Sequence, residues 1–419
     1  MKLAPLALLL SVALAAPLAA QAPEQVAAAA LKAAPVWDGH NDIPIQIRGR
    51  YGNVLGDFDF HDTSEARPYA PGDTTPMHTD LPRLREGKVG AQFWSVYVTA
   101  ALTEPEAVQA TIEQIDVTKR LIAAYPDDLV LALNSADVEK ALKQGRIASL
   151  LGMEGGHSIG SSLGVLRQMY DLGARYLTLT HSKNTPWADS ATDDPEHGGL
   201  TDFGKDLVRE MQRMGMLVDL SHVSEETMLD ALDVARAPVI FSHSGARAVN
   251  GHARNVPDNV LARVKANGGI VMVVGLPGFL SEERRQWFAR REAEQASLKS
   301  LWQGQPAAVK AALEQWEAEN PEPKATVATM ADHVDHIRQV AGVDHIGIGG
   351  DYDGMDSGPV GMEDVRGYPA LFVELARRGY SQGDLEKISN RNMMRVLKAA
   401  EAYALAHRAD PPIESPLPE

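Results

Sequence analysis

Eight short apolar runs punctuate the chain, and the stretches between them carry apolar positions at helical spacing. The runs are residues 34–38, 90–98, 147–151, 176–180, 216–220, 238–241, 269–274 and 345–349. Continuous runs of this length are the pattern of strands covered on both faces. Between them lie 104–125, 137–144, 162–172, 201–214, 224–235 and 257–265, with apolar residues three and four apart. Alternating strands and helices specify a mainly parallel sheet with right-handed crossovers. Eight repeats of that unit predict an α/β fold of the (β/α)8 TIM-barrel type. No glycine-rich dinucleotide fingerprint follows the first run, which counts against an open nucleotide-binding sheet.

Two segments interrupt the rhythm. Residues 49–86 are rich in Gly, Pro, Asp and Tyr and predict a long ordered loop, whereas residues 279–325 are charged and helical in pattern. Both are insertions on the βα side, where barrels keep their functional loops. Each is read either as a lid or substrate wall or as a solvated surface element with i,i+4 charge pairs. A single barrel domain is expected over 23–409. Residues 1–22, with basic Lys2, a Leu/Ala/Val core and a small-residue end, are expected to be a secretory signal peptide. The Pro-rich tail 410–419 is expected to be disordered.

Composition narrows the partners. The 419 residues carry a formal charge of −16 with no basic block, which argues against nucleic acid and anionic membrane surfaces. With the signal, the expected address is the periplasm or the exterior, with no membrane role beyond export. The chain has no Cys, so neither a disulfide nor a lipid-bearing cysteine is available and a metal site must use His and carboxylates.

Six of the runs stop at a residue that can bind a metal or move a proton: His40 with Asp42, Glu154, His181, His222, His243 and Asp351. Strand carboxyl ends are where barrel chemistry is built. His40 and Asp42 alternate on a segment read as extended, so both side chains are expected to face the barrel mouth. Glu154 precedes Gly155 and Gly156, which permit a sharp turn, and a carboxylate can bridge two cations about 3.5–4 Å apart. His222 and His243 each follow a strand as Ser-His, a coincidence that packing does not explain. These five residues suit two Zn2+ ions, with His157 a rival ligand. His181 is placed to stabilise an oxyanion and Asp351 to take a proton, with Asp353 its rival. Arg254, in GHARNVPD, is read either as a bidentate partner for a substrate carboxylate or as a surface salt bridge. His333, His336 and His345 are read as structural.

The segments DGHNDIP, MEGGHSIG, YLTLTHSKNTPWAD, VDLSHVS, APVIFSHSGARAVNGHARNVPD and IGGDYDG resemble the membrane (renal-type) dipeptidases, binuclear zinc peptidases of the amidohydrolase superfamily. The resemblance implies that His40 and Asp42 bind one zinc, His222 and His243 the other, and Glu154 bridges them. It also implies that His181 binds the substrate's carbonyl side and stabilises the tetrahedral intermediate, Arg254 holds the dipeptide carboxylate and Asp351 shuttles the proton. The expected activity is an exported dipeptidase working through a metal-bridging hydroxide on dipeptides, including those with a D-residue second. A related hydrolase of N-acyl amino acids or β-lactam-like amides, and a non-catalytic exported metal- or ligand-binding barrel, are the alternatives. A homodimer is left open; with no Cys it would lack the disulfide link of animal relatives, and Lys183 and Tyr352 are further departures.

Overall fold

The computed structural model describes residues 21–415, so the expected signal lies outside the described residues apart from Gln21 and Ala22, as do residues 416–419 of the tail. Among the described residues nine parallel strands form: β1 Val36–Asn41, β2 Val89–Ser95, β3 Leu129–Leu131, β4 Ile147–Glu154, β5 Ala174–Thr178, β6 Leu217–Asp219, β7 Ile240–Phe241, β8 Ile270–Val274 and β9 Ile346–Gly349. Eight of them close a ring in the order β1-β2-β4-β5-β6-β7-β8-β9, sealed by the β2–β4 and β1–β9 pairs. The ring strands coincide with the eight apolar runs, and the architecture is the (β/α)8 barrel. The ninth strand, β3, falls outside any apolar run. It pairs with the start of β4 through Leu129 opposite Ile147, on the edge whose later half pairs with β5.

Helices begin where the βα loops deliver a capping side chain. Asn134, Ser162, Thr201 and Ser224 each accept a hydrogen bond from a backbone N–H in the first turn of the helix that follows. Inside the barrel, Trp37, Phe93 and Tyr176 stack with ring centroids 5.9 and 4.9 Å apart. They share one apolar cluster with Leu150, Ile240, Met272 and, from the helix Asn392–Ala406, Met393, Val396 and Leu397. That last helix therefore seals the floor of the barrel, and a second cluster lies between the sheet's outer face and the surrounding helices.

Both insertions are ordered by specific bonds. The helix Ile43–Tyr51 runs into the first, and a second helix, Leu81–Glu86, ends it. Buried Arg50 ties the loop down, donating to the carbonyls of Arg67 at 2.5 Å and Thr75 at 2.9 Å and to Gln46 Oε1 at 2.6 Å. The second insertion is an antiparallel hairpin of helices Glu282–Leu301 and Pro306–Glu319. Trp287 Nε1 donates to the Asn320 carbonyl at 2.7 Å, Arg291 pairs with Glu317 at 2.6 Å, and Leu298, Val309 and Leu313 form the seam. In the tail, the Ile413 backbone N–H donates to Glu210 at 3.1 Å, so its described part is docked.

Candidate metal centre

The carboxyl ends of the strands bring the chemistry-bearing residues to one mouth. His40 lies inside β1, but Asp42 does not continue the strand: its φ of −98° and ψ of 21° make it the N-cap of the helix starting at Ile43. Pro44, in the first turn, favours that helix start. Asp42 is therefore not extended as strand alternation requires, yet the side chains converge, with His40 Nε2 3.2 Å from Asp42 Oδ2. Glu154 ends β4, and its two oxygens face different partners. Oε2 lies 3.3 Å from His40 Nε2, while Oε1 lies 3.0 Å from His222 Nε2 and 3.4 Å from His243 Nε2.

Backbone strain accompanies this convergence. His222, Asp351 and Asp353 occupy the left-handed region at φ 69°, 62° and 67°, which costs roughly 1–3 kcal/mol for a non-glycine residue. Gly155 has φ +100°, and a Cβ there would sit 2.3 Å from His157 Cε1. Gly349 permits a closer approach still: a Cβ would come 1.8 Å from the Ser242 carbonyl oxygen, so β9 could not close on the end of β7.

Three overlapping donor sets result: His40, Asp42 and Glu154; Glu154, His222 and His243; and His40, His243 and Asp351. Within each, one donor atom per residue lies within 4.8 Å of the others. A metal fits this arrangement. His40 Nε2 and Asp42 Oδ1 are buried without a hydrogen-bond partner among the described residues, which is costly unless a cation satisfies them. Imidazole and carboxylate donors without a thiolate suit zinc or a similar divalent ion.

Burial alone would raise Glu154, but the charge of His40 and the imidazoles of His222 and His243 against its oxygens hold it well below the usual carboxylate range. Burial pushes Asp351 up to about 8; His40 opposes the rise and Asp42 and Glu154 add to it. A cation among these ligands would reverse that rise. Burial lowers His181 to about 4.

The remaining residues take distinct places. His181 stacks on His222 at 4.3 Å and on Tyr97 at 4.7 Å, with Nε2 3.9 Å from Glu154 Oε1. His157 turns away, its Nε2 bonded to the Val98 carbonyl at 3.0 Å. Asp353 lines the same cavity but accepts from the His78 backbone at 2.9 Å and stands outside the three donor sets. Arg254 is 1% exposed and reaches only Ser244 Oγ at 3.5 Å and the His243 carbonyl at 3.4 Å; its Nε has no partner among the described residues. Its guanidinium lies 5.3 Å over the Phe279 ring, and burial lowers it to about 10. No surface salt bridge is formed at such a position. His333 joins Ala246 N–H to the Leu280 carbonyl, His336 pairs with Asp258 and His345 bonds the Gly269 carbonyl.

Sequence reasoning missed the partners behind the candidate donors. Ser95, at the end of β2, lies 3.2 Å from Glu154 Oε2, and Tyr176 OH lies 2.9 Å from His40 Nδ1. Their one signal was an inward position on a strand. The mouth encloses about 330 Å³, walled by Ile45, Gln46, Tyr69, Tyr97, Leu276 and Phe279 together with Asp42, Glu154, His222, His243 and Asp351.

The sequence and the fold both have close parallels. The family model for membrane dipeptidases, peptidase family M19, matches residues 24–410. Dipeptidase 3 of Rattus norvegicus is 40% identical over 390 residues, covering 92% of this chain and 69% of its own. An uncharacterized dipeptidase of Schizosaccharomyces pombe is 41% identical over 408 residues, covering 94% and 87%. Among solved structures, the probable dipeptidase PvdM of Pseudomonas aeruginosa superposes with a TM-score of 0.76 at 21% identity, covering 91% of this chain and 99% of that one. A metallopeptidase of Rhodobacter sphaeroides, solved with a phosphinate mimic of the dipeptide L-Ala-D-Ala, gives 0.70 at 24% identity over 88% and 99%. At those identities the structures speak to the fold. The family match over nearly the whole chain and the curated relatives speak to more: the chain belongs to the membrane dipeptidase family, peptidase family M19, and is a metal-dependent dipeptidase.

Proposed function

We propose that the chain hydrolyses the single peptide bond of dipeptides with a free C-terminal carboxylate, including those with a D-residue second, using two zinc ions. His40, Asp42 and Glu154 would hold one ion, and His222, His243 and Glu154 the other. When bound, the two cations supply Lewis-acid polarisation of the scissile carbonyl and acidify the attacking water toward a pKa of about 7. Arg254 takes the substrate carboxylate by charge-assisted bonds and fixes the register of the peptide bond. His181, at the rim beside Glu154, donates to the oxyanion that develops on the carbonyl oxygen. Asp351 receives the proton of the attacking water and passes it to the leaving nitrogen. The walls of the mouth leave room for a short substrate and exclude a folded chain.

The observation that carries this reading is a buried guanidinium with no carboxylate partner among the described residues, lining the same cavity as Asp42, Glu154, His222 and His243. Zinc reconstitution with metal analysis, followed by a panel of L,L- and L,D-dipeptides, N-acyl amino acids and β-lactams, tests it. Two zincs per chain and turnover of dipeptides are expected. Fewer than two zincs, or turnover confined to the acyl or lactam arms, overturns it. Export is proposed on residues 1–22, whose composition is that of a signal peptide. Recovery from the cell envelope or medium with an N-terminus near residue 21 or 23 is expected; an intact Met1 on cytoplasmic protein would reject export.

A further inference from the structure

One step below the ligands, the inward-facing layer of the barrel is polar. Thr178 on β5, Asp219 on β6 and Ser242 just after β7 are fully buried there. Asp219 Oδ1 accepts from the backbone N–H of Ser242 at 2.8 Å and of Ser221 at 3.1 Å. Its Oδ2 accepts from the Thr178 hydroxyl at 2.5 Å and the Ser242 hydroxyl at 2.6 Å. Ser242 Oγ in turn lies 2.8 Å from His243 Nδ1.

The direction of these bonds follows from the inventory of protons. An ionised carboxylate only accepts, and a serine hydroxyl has one hydrogen to give. With that hydrogen directed to Asp219, Ser242 Oγ can only accept from the imidazole, so His243 Nδ1 must carry the N–H. Nε2 is then the free lone pair, facing Glu154 Oε1 at 3.4 Å and His222 Nε2 at 3.0 Å.

We infer that Asp219 and Ser242 form a relay that sets the tautomer and ring orientation of His243, which makes both of them positioning residues of the metal centre. That a metal uses Nε2 rests on the function proposed above; the tautomer belongs to the chain itself. Partners behind a ligating histidine fix which nitrogen is available and typically alter metal affinity about 10–100-fold.

The relay makes two substitutions behave differently. In Ser242→Ala the acceptor is lost and His243 Nδ1–H becomes one of two tautomers. In Asp219→Asn the two backbone N–H groups retain the amide oxygen, which turns the NH2 toward the hydroxyls. Ser242 Oγ then accepts from the amide and donates to His243 Nδ1, which places the proton on Nε2, where a metal must bind.

The test is a long-range 1H–15N correlation spectrum of metal-free protein labelled on histidine, with His243 assigned from a His243→Gln sample. The expected tautomers are Nδ1–H in the parent, a mixture in Ser242→Ala and Nε2–H in Asp219→Asn. Zinc titration against a chromophoric chelator is expected to show roughly 10–100-fold weaker binding of one zinc in Ser242→Ala, and a larger loss in Asp219→Asn. An Nε2–H parent, or an Asp219→Asn protein with the parent's tautomer and zinc affinity, overturns the relay. Where Asp219→Asn fails to fold, Ser242→Ala decides alone: an unmixed Nδ1–H tautomer with undiminished zinc binding overturns it. A parent that shows the Nδ1–H tautomer but binds no zinc supports the relay and rejects the metal reading instead.

Discussion

Replacing Arg254 with methionine separates binding from stability. The guanidinium is buried beside the Phe279 ring, bonded only at 3.4–3.5 Å, with Nε unpartnered among the described residues. A substrate carboxylate arriving there forms charge-assisted bonds to a cation already desolvated. Breaking a buried hydrogen-bonded charge pair costs about 2–5 kcal/mol, so a loss of about 3–4 kcal/mol in kcat/KM, or roughly 10²–10³-fold, is expected for Arg254→Met. Because the carboxylate does not react, most of the loss belongs in KM, with a smaller share in kcat from poorer registration. Stability should move the other way. Methionine fills similar length without an isolated buried charge, so Tm should stay level or rise. The assay pairs one dipeptide with its C-terminal amide. The parent is expected to prefer the acid by a similar roughly 10²–10³-fold, and Arg254→Met to treat both alike. Retained discrimination, or an equal loss on the amide, would refute the assignment.

Three further outcomes follow from the same geometry. Chelation should lower Tm and added zinc should restore it; with zinc at about 1,000 times its Kd the linkage is worth about 4 kcal/mol, and a Tm indifferent to chelator would count against a metal in these donor sets. Gly155→Ala should cost about 1–3 kcal/mol and reduce bound zinc, because its φ is +100° and the new methyl meets His157 beside Glu154; unchanged metal content by mass spectrometry would contradict this. His333, fully buried, is lowered by burial to about 4, so the folded state binds fewer protons than the unfolded state between about pH 4 and 6.5. Its contribution is therefore present above about pH 6.5 and lost as pH falls through 4, on the order of 3 kcal/mol. Denaturant unfolding at pH 7 and 5 should show a smaller decline for His333→Gln than for the parent, and equal declines would reject the assignment.

The eight ring strands were legible because strands buried on both faces read as unbroken apolar runs; even β7, two residues long as a ladder, lies in such a run. β3 was not, because Leu129–Leu131 adds three residues to an edge of β4 and ends at no chemical group. Asp42 shows where periodicity misleads. Two residues past a strand residue it should be extended, but Pro44 and the Asn41 side chain, which accepts from Ile43 N–H at 3.1 Å, turn the chain into a helix. The left-handed backbones of His222, Asp351 and Asp353 were not legible, since Asp and His favour that region more than most residues but still enter it only occasionally.

The candidate donor residues were legible and the partners behind them were not, for one physical reason. Histidine at a strand end is rare enough to be noticed, whereas Thr178, Asp219 and Ser242 are types that any buried strand end can carry. What gives them meaning is lateral registry: Thr178 lies opposite Asp219 across β5 and β6, and Asp219 opposite Ile240 at the start of β7. Strand pairing, not sequence spacing, brings the carboxylate under Ser242. A barrel built this way can change its substrate walls, as at Tyr69 and Phe279, on loops that leave the pairing intact. The polar layer has no such freedom, because each hydrogen in it already has one direction. Asp219→Asn preserves size and burial and reverses one of those directions, so its effect on His243 measures how far proton placement, separate from packing, controls the centre.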